Sequence, residues 1–491
     1  MAAKRATLKK EINLRSLFSL AFGTIIGVGW ITVMGDWLSR AGPIGAIIGF
    51  VGGGLLMMAV ALCYAEMATM YPVSGGEVAY VYQAWGTHWS FAAGWFLAFI
   101  YIFVTSFEAI SVGWILSALI PGSGGPVIYT VMGEDVQLWS LIFGVGIMMV
   151  ITAVNYRGGR TTAAFQDAMT YTLLLATLVF VVVGLAGGET SNLEPLFVKD
   201  ASGGAMMGVL MVFATTPFWF AGFDTIPQAM GEVRDGSQLR MVPKVMLLAI
   251  LMAMGFYCLV ILTAAMSLPR GELLALKLPV SGALEAAFNS VVLGKLVLFA
   301  GLCGLITTWN ALFFASTRLV FALGRGHMIP HIFARVHPKF GSPFVAVLFV
   351  GLSGTLGALA GRNAILPIVN ASSTCLAFVF LLVVVGVARL RHTRPHHPRP
   401  YRVPGGAGLA YIAGAFAFGL LLFSLYQPYR DAKAGLPVEW GTLGTWALLG
   451  VLFWLGAAKV RREVTEEDRH WLILGEHQVK TPSPSRQPEC D

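Results

Sequence analysis

Apolar residues fall along this chain in long blocks separated by short polar ones. Runs of about twenty residues, the length that crosses a hydrocarbon core about 30 Å thick as a helix, recur at 16–38, 43–70, 89–118, 136–155, 162–185, 207–230, 243–268, 284–322, 343–360, 365–388, 409–426 and 441–458. The pattern predicts twelve membrane-crossing helices. Two of the runs contain residues that the middle of a helix resists. "GTIIGVGW", residues 23–30, puts Gly23, Gly27 and Gly29 inside the first run, each costing about 1 kcal/mol of helix propensity relative to alanine. "TTPFWFAGFDTIP", residues 215–227, puts Pro217, Gly222 and Pro227 inside the sixth. Proline removes a backbone hydrogen bond and clashes with the preceding turn, so this helix should break as well.

Composition places the chain in the same class. Of 491 residues 56% are hydrophobic and 12% charged, too little polar surface for a soluble protein of this size. The basic start "KRATLKK" leads into a full-length apolar run with no small-residue cleavage site, so the first crossing is expected to stay in the membrane. Of the 33 Lys and Arg, 25 fall on one side: the amino-terminal segment, the loops 156–161, 231–244, 318–342 and 389–408, and the tail from 459. By the positive-inside rule that side is cytoplasmic and holds both termini, as expected of a multi-pass protein of the cytoplasmic membrane surrounded by membrane lipid. The net charge of +8 then records topology and requires no nucleic acid. The expected organisation is a cytoplasmic segment 1–15, five helices in 16–185, five more in 207–388, two in 409–458, and a disordered cytoplasmic tail 459–491 containing "TPSPSRQPEC".

Several chemistries lack their residues. Cys63, Cys258, Cys303, Cys375 and Cys490 form no CxxC pair, against a disulfide framework or a zinc site. All nine histidines fall in loops or near the ends of runs, which leaves an intramembrane haem or metal centre without ligands. The stretch "RLRHTRPHHPRPYRVPGG", 389–406, reads as a basic cytoplasmic linker rather than a metal tract. No long hydrophilic insert is present to house a soluble catalytic domain, and no nucleophile stands beside a base. The chain is therefore expected to be no enzyme and to need no cofactor beyond a possible coupling ion, proton or sodium.

Gly23 and Gly27 are spaced as GxxxG, which by itself would serve close helix packing. The second interruption changes the picture, because Gly27 and Gly222 stand at corresponding places in two halves of five helices each. An odd number of crossings gives the halves opposite orientation, the pattern of inverted-repeat secondary transporters. Where a helix unwinds in hydrocarbon, its backbone groups must find other partners. Freed N–H groups at a half-helix start suit an anion, and freed carbonyls suit a cation. A zwitterionic amino acid satisfies both, and glycine lets the backbone approach it.

At this point the chain resembles the amino acid, polyamine and organocation (APC) transporter superfamily. "GTIIGVG" is similar to its first-helix motif, "YAEMATMYPVSGGEVAYVYQAWG" (64–86) to the end of its second helix and following connector, "FAGFDTIPQAMGEVRD" (220–235) to its sixth helix, and "STRLVFALGRGHMIPHIFARVHPKFGSP" (316–343) to the loop after its eighth. The resemblance implies an all-α integral membrane fold of twelve transmembrane helices, a leucine-transporter-type 5+5 inverted repeat with helices 1 and 6 broken. It implies a substrate carboxylate on backbone N–H groups of Val28 and Gly29, beside Ile26 and Gly27. The substrate amino group would face carbonyls near Thr24 and Ile25 and around Phe220 and Ala221, with Gly222, Phe223 and Asp224 completing the second break. Trp30 stands where a small aliphatic residue is usual. In sodium-coupled members of the fold, the face formed here by Gly304, Thr307 and Thr308 supplies oxygens to sodium together with carbonyls at Gly23 and Ile26; the alternative is that these threonines bond back to their own helix. The lysine that some proton-coupled relatives carry in helix 5 is absent from Thr162 to Leu185.

The remaining candidates carry two readings each. Trp219, Phe220 and Phe223 are gating aromatics or packing. Asp224 is an N-cap of the inner half-helix or a substrate contact. Glu66 reads as structural. Glu108, deep in the third run, needs a partner, because a buried charge there costs about 2.5–3.5 kcal/mol. That partner is either Lys295, in a structural ion pair, or an ammonium group on the substrate. The functional expectation is a permease that moves amino acids or related amines by alternating access. The alternatives are a nutrient sensor with the same fold that binds without translocating, and a polyamine or amine permease or exchanger.

Overall fold

The computed structural model describes residues 5–120, 122–131, 133–198, 204–234, 236–276, 278–431 and 436–475. The chain opens with α1 (Leu14–Ile25), started by Asn13, whose side-chain oxygen accepts the Ser16 N–H at 2.9 Å. After residues 26–28 the helix resumes as α2 (Gly29–Thr32) and then α3 (Met34–Met70). The first and second apolar runs meet inside α3, across a kink at Gly42. Gly42 takes φ +75° ahead of Pro43, and a β-carbon there would lie 2.8 Å from the Leu196 carbonyl oxygen, so glycine is required for both conformation and space.

Beyond α3 come α4 (Gly76–Trp85) and α5 (Thr87–Leu119). An antiparallel hairpin of β1 (Val127–Val131) and β2 (Glu134–Gln137) follows, between the third and fourth runs. The chain continues through α6 (Leu138–Tyr156), α7 (Gly159–Gly187), α8 (Ala205–Trp219), α9 (Thr225–Ala229) and α10 (Val242–Ser267). Two short helices, α11 (Arg270–Ala275) and α12 (Pro279–Ala287), precede α13 (Val291–Arg325), which starts later than the apolar run from 284. The last elements are α14 (Phe344–Ala358), α15 (Ile365–Thr393), α16 (Ala407–Asp431), α17 (Val438–Gly456), α18 (Ala458–Glu463) and α19 (Glu466–Leu474).

Among the described residues ten helices are long and apolar enough to cross a membrane, where the hydropathy pattern predicted twelve. The two apolar helices that fall short are α8 and α14, each of 15 residues, which at 1.5 Å per residue reach only about 22 Å. α8 stops where the sixth run is interrupted.

The core lies along α13, which packs against α1, α5, α7, α12 and α14, while α3 packs on α8 and α10. Inside lipid these contacts come from close fitting rather than from exclusion of water. Gly49 and Gly53, one turn apart on α3, show how: β-carbons there would stand 3.0 Å from Val212 Cγ1 and 1.7 Å from Thr216 Oγ1 on α8. Large apolar side chains face outward, among them Leu175, Leu178 and Val182 on α7.

Charges at the helix ends are structural. Glu66 is buried and bonded to Arg391, Arg399 (3.3 Å) and the Val403 N–H (2.7 Å), so it ties α3 to the basic 389–406 stretch, as its structural reading required. The expectation of a disordered tail from 459 is corrected over its first part. Helices α18 and α19 form there, and Leu472, Ile473 and Leu474 are buried, with α19 packed on α4 and α13. The capped start at Thr465 and the apolar "WLIL" give α19 a face to bury. The rest of that tail, with Cys490, lies outside the described residues. Cys63, Cys258, Cys303 and Cys375 are free thiols.

Candidate functional site

Residues 26–28 separate α1 from α2, and 220–224 separate α8 from α9. The fold brings the two stretches together. A β-carbon on Gly222, which takes φ +140°, would stand 2.8 Å from both Ile25 N and Thr24 Cβ, so the interruptions touch through bare backbone. On the first stretch the Ile26 N–H still reaches Phe22 O at 3.1 Å. Among the described residues the N–H groups of Gly27 and Val28 have no protein acceptor, and α2 begins with those of Gly29 and Trp30 equally free. Val28, Gly29 and Trp30 are buried, and Gly27 is partly accessible.

The carbonyls around these stretches are partly held by side chains from neighbouring helices. Tyr257 on α10 donates its hydroxyl to Ile25 O at 2.9 Å and is also 3.2 Å from Trp219 O, spanning both interruptions. Thr308 on α13 donates toward Gly23 O and Thr24 O, each at 3.1 Å, while Thr24 returns its hydroxyl to Leu20 O. Thr307 bonds back to Gly304 O at 2.8 Å. The two readings of these threonines therefore divide: Thr307 serves its own helix, and Thr308 crosses to α1. Gly304 lets α13 approach, since a β-carbon there would be 2.9 Å from both Ile26 O and Gly27 O. Gly23, Ile26, Gly304, Thr307 and Thr308 thus lie together, with Thr307 Cβ 3.0 Å from where a β-carbon on Gly23 would stand and its hydroxyl turned back to its own helix.

Glu108 reaches this place from α5. Its Oε1 is 3.6 Å from the position a β-carbon would take on Gly27, where Thr308 Oγ1 is 3.0 Å away. The side chain is buried, and Oε2 has no hydrogen-bond partner. The Lys295 pairing is corrected, since among the described residues no ion pair joins the two and Lys295 is exposed. Glu108 lies level with residue 308, thirteen positions along α13 from Lys295, or about 20 Å of helix.

Asp224 is also corrected as a cap. It precedes α9, but its side chain makes no capping bond there. The carboxylate turns back instead, accepting the Gly222 N–H at 2.7 Å and the Tyr101 hydroxyl at 2.6 Å. Of the three aromatics, Trp219 lies over Gly29, with Trp37 at 5.4 Å. Phe220 and Phe223 are fully buried, the former against Phe50 and Tyr257, the latter against Tyr64 and Phe380. Ala221 is the partly accessible residue of that stretch.

Sequence reasoning missed Tyr257, Tyr101 and a polar cluster on the side of the amino-terminal segment. Glu77 on α4 accepts from Gln228 of α9 in full burial, and Glu232 pairs with Arg318 on α13 at 2.6 Å. Burial first, then the nearby Asp224, pushes the Glu77 carboxyl well above the usual carboxylate range. One signal was present: Tyr101 and Glu108 are seven residues apart in α5, on one helical face.

No group of three or more His, Cys, Asp or Glu that would hold a metal occurs among the described residues. Residues 12–453 match the protein family described as amino acid permease. The chain is 30% identical to the branched-chain amino acid permease BcaP of Bacillus subtilis, over 85% of this chain and 88% of that one. It is 27% identical to the methylthioribose transporter of the same organism, over 92% and 94%, and 26% identical to the human Asc-type amino acid transporter 1, over 96% and 87%. With its apolar helices, this protein belongs to the amino acid permease family of the APC superfamily, whose members are membrane transporters rather than enzymes.

Proposed function

We propose that this chain is a secondary active transporter that moves amino acids or related amines across the cytoplasmic membrane by alternating access. It would work as a twelve-helix, leucine-transporter-type 5+5 inverted repeat, broken in helices 1 and 6, with both termini cytoplasmic. One observation carries the substrate class. The free N–H groups of Gly27 to Trp30 and the unpaired Glu108 carboxylate lie at one place, complementary to a carboxylate and an ammonium separated by one carbon. In this reading Val28 and Gly29 bind the carboxylate, while Glu108 and the carbonyls near Thr24, Ile25, Phe220 and Ala221 bind the ammonium. Trp219 covers the site. A neutral sugar thioether such as methylthioribose has neither charged group and would leave Glu108 unpaired.

Uptake into proteoliposomes, run over amino acids, amines and methylthioribose under imposed proton or sodium gradients, tests this. Accumulation of an amino acid or amine, lost in Glu108→Gln, is the expected result. Saturable binding without accumulation would make the chain a sensor, and uptake of methylthioribose alone would overturn the substrate class. Sodium is a candidate coupling ion because hydroxyl and carbonyl oxygens of Thr308, Gly23 and Ile26 suit a hard cation. Sodium-independent uptake, unchanged in Thr308→Ala, removes it.

A further inference from the structure

A lateral groove of about 680 Å³ lies between α6 and α14, remote from the interrupted helices. Each helix contributes one face at i, i+3, i+4 and i+7 spacing: 149, 152, 153 and 156 from α6, and 348, 351, 352 and 355 from α14. Met149, Leu348 and Leu352 are exposed along its walls. Thr152 and Thr355 bond back to their own helices, so the groove presents little free polarity along its length. Gly351 draws the helices together at its floor, since a β-carbon there would meet Thr152 Oγ1 at 2.6 Å.

One end is different. There the groove is lined by Tyr156, Phe340 and Arg157. The Arg157 side chain is exposed and makes no hydrogen bond or ion pair among the described residues. Lys339 stands 5.6 Å from the Phe340 ring, and Arg160 is the second residue of α7. Glu11, a carboxylate at this corner, accepts the Arg160 N–H at 3.3 Å. From Met149 to Arg157 is about 12 Å of helix, close to the half-thickness of a hydrocarbon core of about 30 Å.

We propose that this groove holds one anionic phospholipid of the leaflet facing the amino-terminal segment, its acyl chain between α6 and α14 and its headgroup phosphate on Arg157. The charge decides the occupant: an unpaired guanidinium at the interfacial end of an apolar groove selects a phosphodiester lipid with a net negative charge over one whose headgroup also carries a cation.

Native mass spectrometry of the full-length protein tests it, after exchange into equal mixtures of phosphatidylglycerol and phosphatidylcholine with the same acyl chains. One retained phosphatidylglycerol is expected, favoured by about fivefold over phosphatidylcholine. Arg157→Gln should bring the two lipids to parity, with thermal melting showing that the variant is folded. Leu352→Trp, which fills the groove, should lower retention of both. Parity in the wild type, or an unchanged preference in folded Arg157→Gln, overturns the proposal.

Discussion

The indole of Trp219 lies across Gly29, so that a β-carbon on Gly29 would stand 2.1 Å from Trp219 Cζ3 and 2.8 Å from Cε3. The first interrupted helix is thus closed over by the end of α8. Leucine at position 29 must displace the ring, which is itself packed edge-on against Trp37 and Phe218, at a cost of about 1–3 kcal/mol. Gly29→Leu should reach the membrane but lose uptake. Adding Trp219→Ala should restore its melting temperature without restoring uptake. Wild-type uptake by Gly29→Leu would show that neither the ring contact nor the N–H at 29 matters for transport.

Tyr257 joins the two interruptions through a single hydroxyl. In Tyr257→Phe the Ile25 and Trp219 carbonyls lose that donor inside a buried region, which should cost about 1–3 kcal/mol of stability. The substrate KM should rise with it, because both carbonyls belong to the stretches proposed to bind substrate. Thermal melting and uptake kinetics read the two effects separately. A variant that melts and transports like the wild type would remove Tyr257 from the site.

The buried pair of Arg318 and Glu232, bonded at 2.6 and 3.2 Å, also fastens the amino-terminal segment, since Glu232 O accepts the N–H groups of Glu11 and Ile12. Arg318 further lies over the Phe314 ring, 3.5 Å from its centroid. Removing one charge leaves the other buried, so Arg318→Met or Glu232→Gln alone should each cost about 3–5 kcal/mol. The double variant should cost clearly less than the sum. Additive losses in a double-mutant cycle would mean that the two charges do not stabilise each other.

His327, in the loop after α13, takes φ +56° and stacks on His331 at 4.5 Å. Burial first, then the charges of His331 and Arg469, pushes its pKa down to about 4. The unfolded chain binds this proton at about 6.5, so between those values the unfolded state holds more protons and stability falls as pH falls. The contribution is complete above about pH 6.5 and lost toward pH 4. Melting temperature measured from pH 7 to 4.5 should fall less steeply in His327→Gln than in the wild type; equal slopes would assign the acid sensitivity elsewhere.

The sequence by itself determined the membrane class, the approximate place of nearly every long helix, and the two places where helices stop short. These are local properties. Twenty apolar residues in succession have few folded forms available in hydrocarbon, and glycine or proline acts on the backbone at its own position. The place of Glu66 near the end of its helix points to a structural role, but its partners Arg391 and Arg399 lie far along the chain and only the fold brings them to it.

Only the tertiary structure decided which side chains meet at the interruptions. Glu108 faces Gly27 instead of Lys295 because of the relative heights of α5 and α13, which no spacing within either helix encodes. Asp224 turns to Tyr101 because α5 passes beside the second interruption, and an N-cap has no such neighbour in view. Tyr257 looked like one more aromatic in an apolar run until α10 was placed against both breaks. The first part of the tail folds as α18 and α19, although its composition is polar, because α4 and α13 offer "WLIL" a surface to cover. Hydrophobic pattern fixes what a segment is in a membrane, and the partners of a buried polar group depend on how helices far apart in sequence are rotated and offset when they pack.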